Sequence, residues 1–168
     1  MNWHEYFFDM CALVAKKSKD QSTKCGAVIV GPGNEVRSTG YNSFPRGIND
    51  DIPERQQRPE KYMWIEHAER NAIFNAARVG VPLVGCRIYQ DWLPCTDCAR
   101  AIIQCGISQI VVDNNSPKNG NKEWAKRWGD SLNISIIMLE EAGIEVNIYD
   151  RKMEMLHQFG KTGGLGTQ

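Results

Sequence analysis

The sequence lacks an excess of charge of either sign. Its 168 residues contain 20 Lys and Arg against 20 Asp and Glu, so the formal net charge is zero. Proteins that bind nucleic acid through bulk electrostatics need clustered positive charge. The composition therefore argues against a nucleic-acid partner and favours a small-molecule ligand.

The sequence also lacks a long apolar run. Hydrophobic residues make up 42% of the chain, yet no stretch approaches the roughly 18 to 20 uninterrupted apolar residues of a membrane span. Residues 1–5 do not show the basic-then-apolar order of a secretory signal. We therefore expect a cytoplasmic protein with no membrane partner.

The six cysteines do not form the pattern of a disulfide framework, which is typical of small exported domains. Four stand singly in or beside apolar stretches and are predicted to be buried thiols of the core: Cys11, Cys25, Cys86 and Cys105. Cys95 and Cys98 differ, because they form a Cys-x-x-Cys pair directly after a proline. This pair is the candidate for metal chemistry.

The hydrophobic pattern predicts one domain over residues 1–150 and a flexible, glycine-rich tail over 151–168. The predicted order is a helix, a β-hairpin and three helix–strand units: helix 3–15, strands 25–30 and 35–41, helix to 79, strand 86–90, helix 95–105, strand 107–112, helix 134–141 and strand 144–149. A short segment, 123–128, is a further candidate helix. Such alternation predicts an α/β fold with a sheet covered on both faces.

Residues 42–62 interrupt this pattern with a segment rich in proline and charge. A connection of roughly 20 residues without regular structure is uncommon in a compact domain and usually has a functional reason. We therefore predict a binding loop or lid here.

Two short motifs carry the chemistry, and each opens a predicted helix. The first contains His67 and Glu69, and the second contains Pro94, Cys95 and Cys98. One His and two Cys supply the three protein ligands of a catalytic zinc site, whose fourth position is left for water. A helix N-terminus also stabilises the thiolate form of cysteine. Glu69 is not needed as a ligand, so it is the candidate for moving protons at the metal.

A structural zinc site is the alternative. Such sites normally have four protein ligands. The sequence offers no evident fourth ligand beside His67, Cys95 and Cys98, and a structural site would leave Glu69 without a role. The motifs therefore favour a catalytic site.

The chain resembles the zinc-dependent deoxycytidylate (dCMP) deaminase family. His-x-Glu followed by Pro-Cys-x-x-Cys is the pattern of zinc-dependent nucleobase deaminases. The resemblance runs from about residue 18 to residue 149 and rests on four segments: STKCGAVI at 22–29, TGYNSFPRG at 39–47, HAERNAI at 67–73 and LPCTDCARAI at 93–102.

The resemblance implies a three-layer α/β/α cytidine-deaminase-like fold with a five-stranded mixed sheet. It implies a Zn²⁺ cofactor held by His67, Cys95 and Cys98, and hydrolysis of dCMP to dUMP and ammonia. Glu69 would then be catalytic, moving protons to N3 of the cytosine and to the departing amine. Relatives of this kind form homo-oligomers, often hexamers.

Four further residues are candidates for substrate binding. By the resemblance, Asn42 contacts the sugar and the backbone around Ala68 contacts the base. Lys24 and Arg46 are candidates for the 5′-phosphate, because a nucleotide needs charge-assisted donors and these two flank the predicted site.

Other side chains near these motifs have less specific interpretations. Trp92 is a candidate wall of the base pocket. Arg70 and Arg78 are predicted to lie on a solvated helix face, and Trp124 and Trp128 to pack as one face of an amphipathic segment rather than to stack on bases.

Several functions remain open at the level of sequence. The substrate alternatives are dCTP, a 5-substituted dCMP, guanine, a pterin-like base and tRNA adenosine. An inactive zinc or nucleotide-binding module is a further alternative, although it would have no need of Glu69.

Overall fold

The computed structural model describes residues 1–116, 122–150 and 154–159, with side chains for all of these except 122–127 and 154–159. The regular elements of the described residues are α1 (Trp3–Ala15), β1 (Gly26–Val30), β2 (Val36–Tyr41), a 3-10 helix (Pro53–Gln56), α2 (Lys61–Trp64), α3 (Ala68–Val79), β3 (Arg87–Gln90), α4 (Thr96–Gln104), β4 (Gln109–Asp113), α5 (Lys122–Glu141), β5 (Glu145–Asp150) and β6 (Glu154–Phe159).

The strands form one mixed sheet in the order β2-β1-β3-β4-β5-β6. β1 pairs antiparallel with both β2 and β3, whereas β3, β4 and β5 are parallel to one another. The mixed sheet of five strands expected from the sequence is thereby confirmed. The antiparallel β1–β3 pairing places the hairpin at one edge of the parallel strands.

A sixth strand, β6, extends this sheet by pairing antiparallel with β5. It lies within 151–168, so the prediction of a flexible tail is wrong for these six residues. The glycine-rich composition on which that prediction rests belongs to 160–168, which lie outside the described residues.

α5 also differs from the prediction made from the sequence. The sequence predicts a short helical segment at 123–128 and a separate helix at 134–141, but a single 20-residue helix spans both. The polar residues between the two segments hid this continuity, because the apolar spacing weakens there.

The sheet has a hydrophobic core on each face. Side chains alternate along a strand, so Ile88 points to the face covered by α3, α4 and α5, and Tyr89 points to the face covered by α1. Phe7 and Phe8 of α1 fill the second core. These three layers fix the ends of α3 and α4 relative to the strands.

β2 and α3 approach each other closely at Gly40. A Cβ atom at this position would lie 2.2 Å from the Ala72 nitrogen and 2.3 Å from the Ala68 oxygen, so only glycine fits. Ser38 Oγ donates a hydrogen bond to the Ala72 carbonyl in the same region. The first turn of α3 is therefore held against the sheet by backbone contact.

The loop predicted over residues 42–62 is not wholly irregular, because it contains the 3-10 helix Pro53–Gln56 and the start of α2. Its two ends are joined where Ser43 and Glu66 form an antiparallel bridge with two backbone hydrogen bonds of 2.9 and 3.1 Å. Within it, the Arg55 guanidinium stacks 4.0 Å from the centroid of the Trp64 ring. The loop returns the chain to the start of α3.

Among the described residues, no helix has the length and apolar character needed to span a membrane.

Candidate metal centre and its cavity

The three predicted metal ligands lie together where α3 and α4 begin. His67 immediately precedes α3, Cys95 immediately precedes α4, and Cys98 lies in the first turn of α4. His67 Nδ1 is 3.6 Å from Cys95 Sγ and 3.5 Å from Cys98 Sγ. The ligand atoms of all three residues lie within 4.8 Å of one another.

This spacing fits zinc. In a tetrahedral site, a Zn–S distance of about 2.3 Å and a Zn–N distance of about 2.1 Å place sulfur and nitrogen about 3.6 Å apart. Both nitrogen–sulfur distances in the structure agree with that value. One imidazole and two thiolates also form a donor set that zinc prefers, so the residues present can hold the ion without rearrangement.

The electrostatics of the two thiols suit a metal ligand. The interaction with the Cys98 thiol, followed by a hydrogen bond with His67, lowers the pKa of Cys95 to about 4, against the opposing effect of burial. The same interaction, together with burial, raises the pKa of Cys98. The pair therefore carries a thiolate at neutral pH, which is the form that binds metal.

Glu69 lies in the first turn of α3 and lines the cleft beside the candidate metal ligands. Burial raises the pKa of its carboxyl group, although the nearby charge of His67 opposes this effect. A carboxyl group whose pKa is raised holds a proton more readily, which suits a group that must both accept and donate one, as general acid–base catalysis requires.

Arg70 connects the two ligand-bearing helices. Its guanidinium pairs with Glu66 just before α3, and its Nη1 lies 3.3 Å from Asp97 Oδ2 in α4. The side chain is only 18% exposed. The prediction that Arg70 belongs to a solvated face is therefore wrong, whereas Arg78 is exposed as predicted.

α5 contributes to the site from the other side. Ser131 Oγ accepts a hydrogen bond of 3.0 Å from the Thr96 backbone N–H, which caps the start of α4. Trp128 packs edge-on against His67, with ring centroids 5.7 Å apart, and against Tyr62, with centroids 6.0 Å apart. Trp128 thus packs as predicted, but it packs over the candidate metal ligand His67. The side chain of Trp124 lies outside the described residues.

A cleft of about 870 Å³, including the solvent at its mouth, opens over the metal ligands. Segment 20–26, the loop, the start of α3, residues 90–95 and α5 all contribute walls to it. Trp92 lines the cleft, as its candidate role requires.

Two of the four predicted substrate-binding residues lie at this cleft. Asn42 and Ala68 both line it. Asn42 is buried and already uses its amide, because Nδ2 donates to the Thr23 carbonyl and to Asp20, and Oδ1 accepts from the Cys25 backbone N–H.

The structure does not bring the two candidate phosphate ligands to the cleft. Lys24 is exposed and is not among the residues that line it. Arg46 lies in a separate depression, where its Nη2 donates to Asn75 Oδ1 over 2.6 Å. The cationic residues that do line the cleft are Arg58 and Lys61. The only sequence signal for them was the charge of the loop.

The remaining cysteines are free thiols. Cys11 and Cys86 are buried as predicted, and Cys11 Sγ donates to the Tyr89 carbonyl. Cys25 and Cys105 are only partly buried, and Cys25 lines the cleft because it directly precedes β1. Cys25 therefore contributes to the cleft wall and does not belong to the core alone.

Comparisons with known proteins agree on one family. The family model for the cytidine and deoxycytidylate deaminase zinc-binding region matches residues 1–114. An uncharacterized deaminase in the luxG 3′ region of Aliivibrio fischeri is 39% identical over 144 residues, which cover 86% of this chain and 91% of that protein. The deoxycytidylate deaminase of Mus musculus is 36% identical over 132 residues, which cover 76% and 73% of the respective chains.

The fold has a counterpart among solved structures. The dCMP deaminase from the cyanophage S-TIM5, solved in complex with dCMP and dUMP, aligns with a TM-score of 0.66 at 23% identity. The alignment covers 86% of this chain and 94% of that chain. At this identity, the likeness establishes a shared fold.

Proposed function

The chain belongs to the cytidine and deoxycytidylate deaminase family, and from that premise we propose that it hydrolyses dCMP to dUMP and ammonia with the aid of zinc. The observation that carries the proposal is the arrangement of His67, Cys95 and Cys98 around one point, with Glu69 in the same cleft. The relatives named as deoxycytidylate deaminases support dCMP as the substrate.

The metal ligands in this mechanism are His67 Nδ1 and the sulfurs of Cys95 and Cys98. When bound, zinc supplies Lewis-acid activation of water at neutral pH. The two helix N-termini add positive potential at the thiolates, and the Arg70 contact with Asp97 keeps the two helices in register. These contacts hold the three side chains at the spacing that the metal requires.

Glu69 moves the protons. Its carboxylate takes a proton from the attacking water and passes it to N3 of the cytosine, while the oxygen of the water bonds to C4. Glu69 then takes the remaining proton from the new C4 hydroxyl and delivers it to the 4-amino group. The C4–N4 bond breaks as C4=O forms, and ammonia and dUMP are released. The raised pKa of Glu69 matches this double role.

Sugar and base contacts follow from the residues that line the cleft. Asn42 Oδ1 accepts one hydrogen bond within the protein, so one lone pair is left for a sugar hydroxyl. The backbone around Ala68, at the first turn of α3, is the candidate contact for the base. Trp92 and Trp128 supply apolar walls.

For the phosphate we propose Arg58 in place of Lys24 and Arg46. Arg58 lines the cleft, its side chain is exposed, and it forms no hydrogen bond or ion pair with the described residues. Lys61 also lines the cleft, but its ammonium group is fully engaged within the protein. A guanidinium group with unused donors suits a phosphate dianion.

We also propose that the protein acts in the cytoplasm as a homo-oligomer. None of the six cysteines, all of which lie among the described residues, forms a disulfide, which is typical of a reducing compartment. Exposed apolar side chains on α5, Ile134 and Ile137, are 53% and 54% exposed and provide surface that a second copy can cover.

The test is a substrate panel. The zinc-loaded protein is incubated with dCMP, dCTP, deoxycytidine, guanine and an adenosine-bearing tRNA stem-loop, and the change in base absorbance is followed. The control is Glu69→Ala, checked for equal zinc content. We expect turnover of dCMP above all others and loss of that turnover in the variant.

Other outcomes reject parts of the proposal. Preferred turnover of another substrate would retain the zinc mechanism and overturn the assignment of dCMP. No turnover of any of the five by the zinc-loaded protein would favour a nucleotide-binding module instead. Equal turnover by Glu69→Ala would overturn the role of Glu69.

A further inference from the structure

Asp20 and Lys61 form a buried ion pair in the wall of the cleft. Lys61 Nζ lies 2.7 Å from Asp20 Oδ2, and the two side chains are only 5% and 4% exposed. In the other ion pairs of the described residues, at least one side chain is more than 20% exposed. A buried pair contributes little to stability by itself, so its presence calls for another reason.

Every polar atom of this pair has a partner within the protein. Lys61 Nζ donates to both carboxylate oxygens of Asp20 and to Ser22 Oγ, which uses all three of its N–H groups. Asp20 also accepts from the backbone N–H groups of Ser22 and Thr23 and from Asn42 Nδ2. The pair has no donor left for a ligand, although it lies at the cleft.

The pair joins three segments that are far apart in the sequence. Asp20 belongs to the turn before β1, Asn42 follows β2, and Lys61 begins α2. Lys61 also fixes α2 through its backbone, because its N–H donates to Gln57 and its carbonyl accepts from Ile65. These contacts hold the segment that carries Arg58 against the wall that carries Asn42.

We propose that the Asp20–Lys61 pair is a positioning device that sets the distance between Arg58 and Asn42 and thereby the ability of the cleft to bind a nucleotide 5′-monophosphate. The pair acts through Arg58, whose segment it holds at a set distance from Asn42, and does not touch the substrate. This inference rests on the proposed function. It predicts that loss of the pair weakens binding of a phosphorylated substrate and leaves the chemical step intact.

The test removes both charges together. In Asp20→Asn combined with Lys61→Met, the side chains keep their approximate size and no unpaired charge is buried. The matched control is Lys19→Met combined with Asp50→Asn. That pair also joins the segment before β1 to the loop, with Lys19 Nζ 2.8 Å from Asp50 Oδ1. Its side chains are more exposed, at 63% for Lys19 and 26% for Asp50.

Steady-state kinetics with dCMP and with deoxycytidine give the first readout, on full-length zinc-loaded protein. For the buried-pair variant, the KM for dCMP should rise by about tenfold, the scale of one misplaced charge-assisted contact. The kcat for dCMP should stay within about twofold, because no interaction specific to the transition state is lost. The KM and kcat for deoxycytidine, which has no phosphate, should stay close to those of the wild type. The control variant should match the wild type throughout.

Hydrogen exchange gives a second readout that needs no turnover. The backbone amides of residues 61–65 should exchange faster in the buried-pair variant, while those of α3 keep their protection. The control variant should show no change in either region.

Three results would overturn the inference: an unchanged KM for dCMP, an equal loss with dCMP and deoxycytidine, or unchanged exchange at 61–65. Failure of the wild-type protein to convert any deoxycytidine nucleotide would instead reject the proposed function. In that case the exchange measurement would still decide whether the pair holds α2 in place.

Discussion

Arg58 is the residue on which the preference for a phosphorylated substrate depends in this account. Replacement by alanine removes the guanidinium and leaves the metal ligands untouched. We expect the KM for dCMP to rise by about 10- to 100-fold, the value of hydrogen bonds to a charged group. The kcat/KM for deoxycytidine should be unchanged.

Arg46→Ala is the matched control for this measurement, because Arg46 lies on the same loop but outside the cleft. Its KM for dCMP should equal that of the wild type. If Arg46→Ala raises the KM and Arg58→Ala does not, we have assigned the phosphate to the wrong side of the loop.

The grouping of His67, Cys95 and Cys98 as candidate metal ligands could be predicted from the sequence, because the motifs that contain them are short and local. A histidine or cysteine at the start of a helix is recognisable from the caps and spacing around it, and zinc restricts the ligand types. The phosphate ligand could not be predicted in this way. It depends on the path of residues 42–67, which has no periodicity. For Lys24 and Arg46 the sequence shows only their charge and their position beside the motifs.

At the scale of elements, the contact between β2 and α3 positions the site. α3 carries His67 at its start and Glu69 in its first turn, and it lies on β2 without any side chain between them at Gly40. A displacement of α3 would move both groups away from Cys95 and Cys98. The close approach is therefore part of the metal centre.

Gly40→Ala tests this contact. The added methyl group would clash with the backbone of α3, so we expect a loss of about 1–3 kcal/mol in the free energy of unfolding and weaker zinc binding. Gly129→Ala in α5 is the control, because a Cβ there meets nothing within 4 Å. It should be neutral or stabilising by up to about 1 kcal/mol. Thermal unfolding with and without zinc measures both effects, and equal behaviour of the two variants would refute the role of Gly40.

The predicted elements were most accurate where caps and apolar spacing agree. α1 and the end of α3 at Gly80 were predicted closely, since Gly80 adopts φ of 75° as a helix stop. α5 was split in the prediction and β6 was missed. Both depend on packing against the sheet rather than on local sequence, and such contacts are invisible to periodicity.

At the scale of the whole molecule, the fold serves to bring two distant helix N-termini to one point. His67 and Cys95 are 28 residues apart, yet their ligand atoms are 3.6 Å apart. β3 follows α3 and precedes α4 in the chain, and it pairs parallel with β4. α3 and α4 therefore lie side by side on the same face of the sheet. The three-layer architecture was predictable from the alternation of helices and strands and from the family resemblance.

In the proposed mechanism, a single zinc ion held by His67, Cys95 and Cys98 acts together with Glu69 to deaminate dCMP. Titration of zinc into the metal-free protein, with dUMP formation measured at each point, tests it most directly. We expect the activity to rise in proportion to bound zinc and to reach its plateau at one ion per chain. Activity before zinc is added, or a fully loaded protein that forms no dUMP, would contradict it.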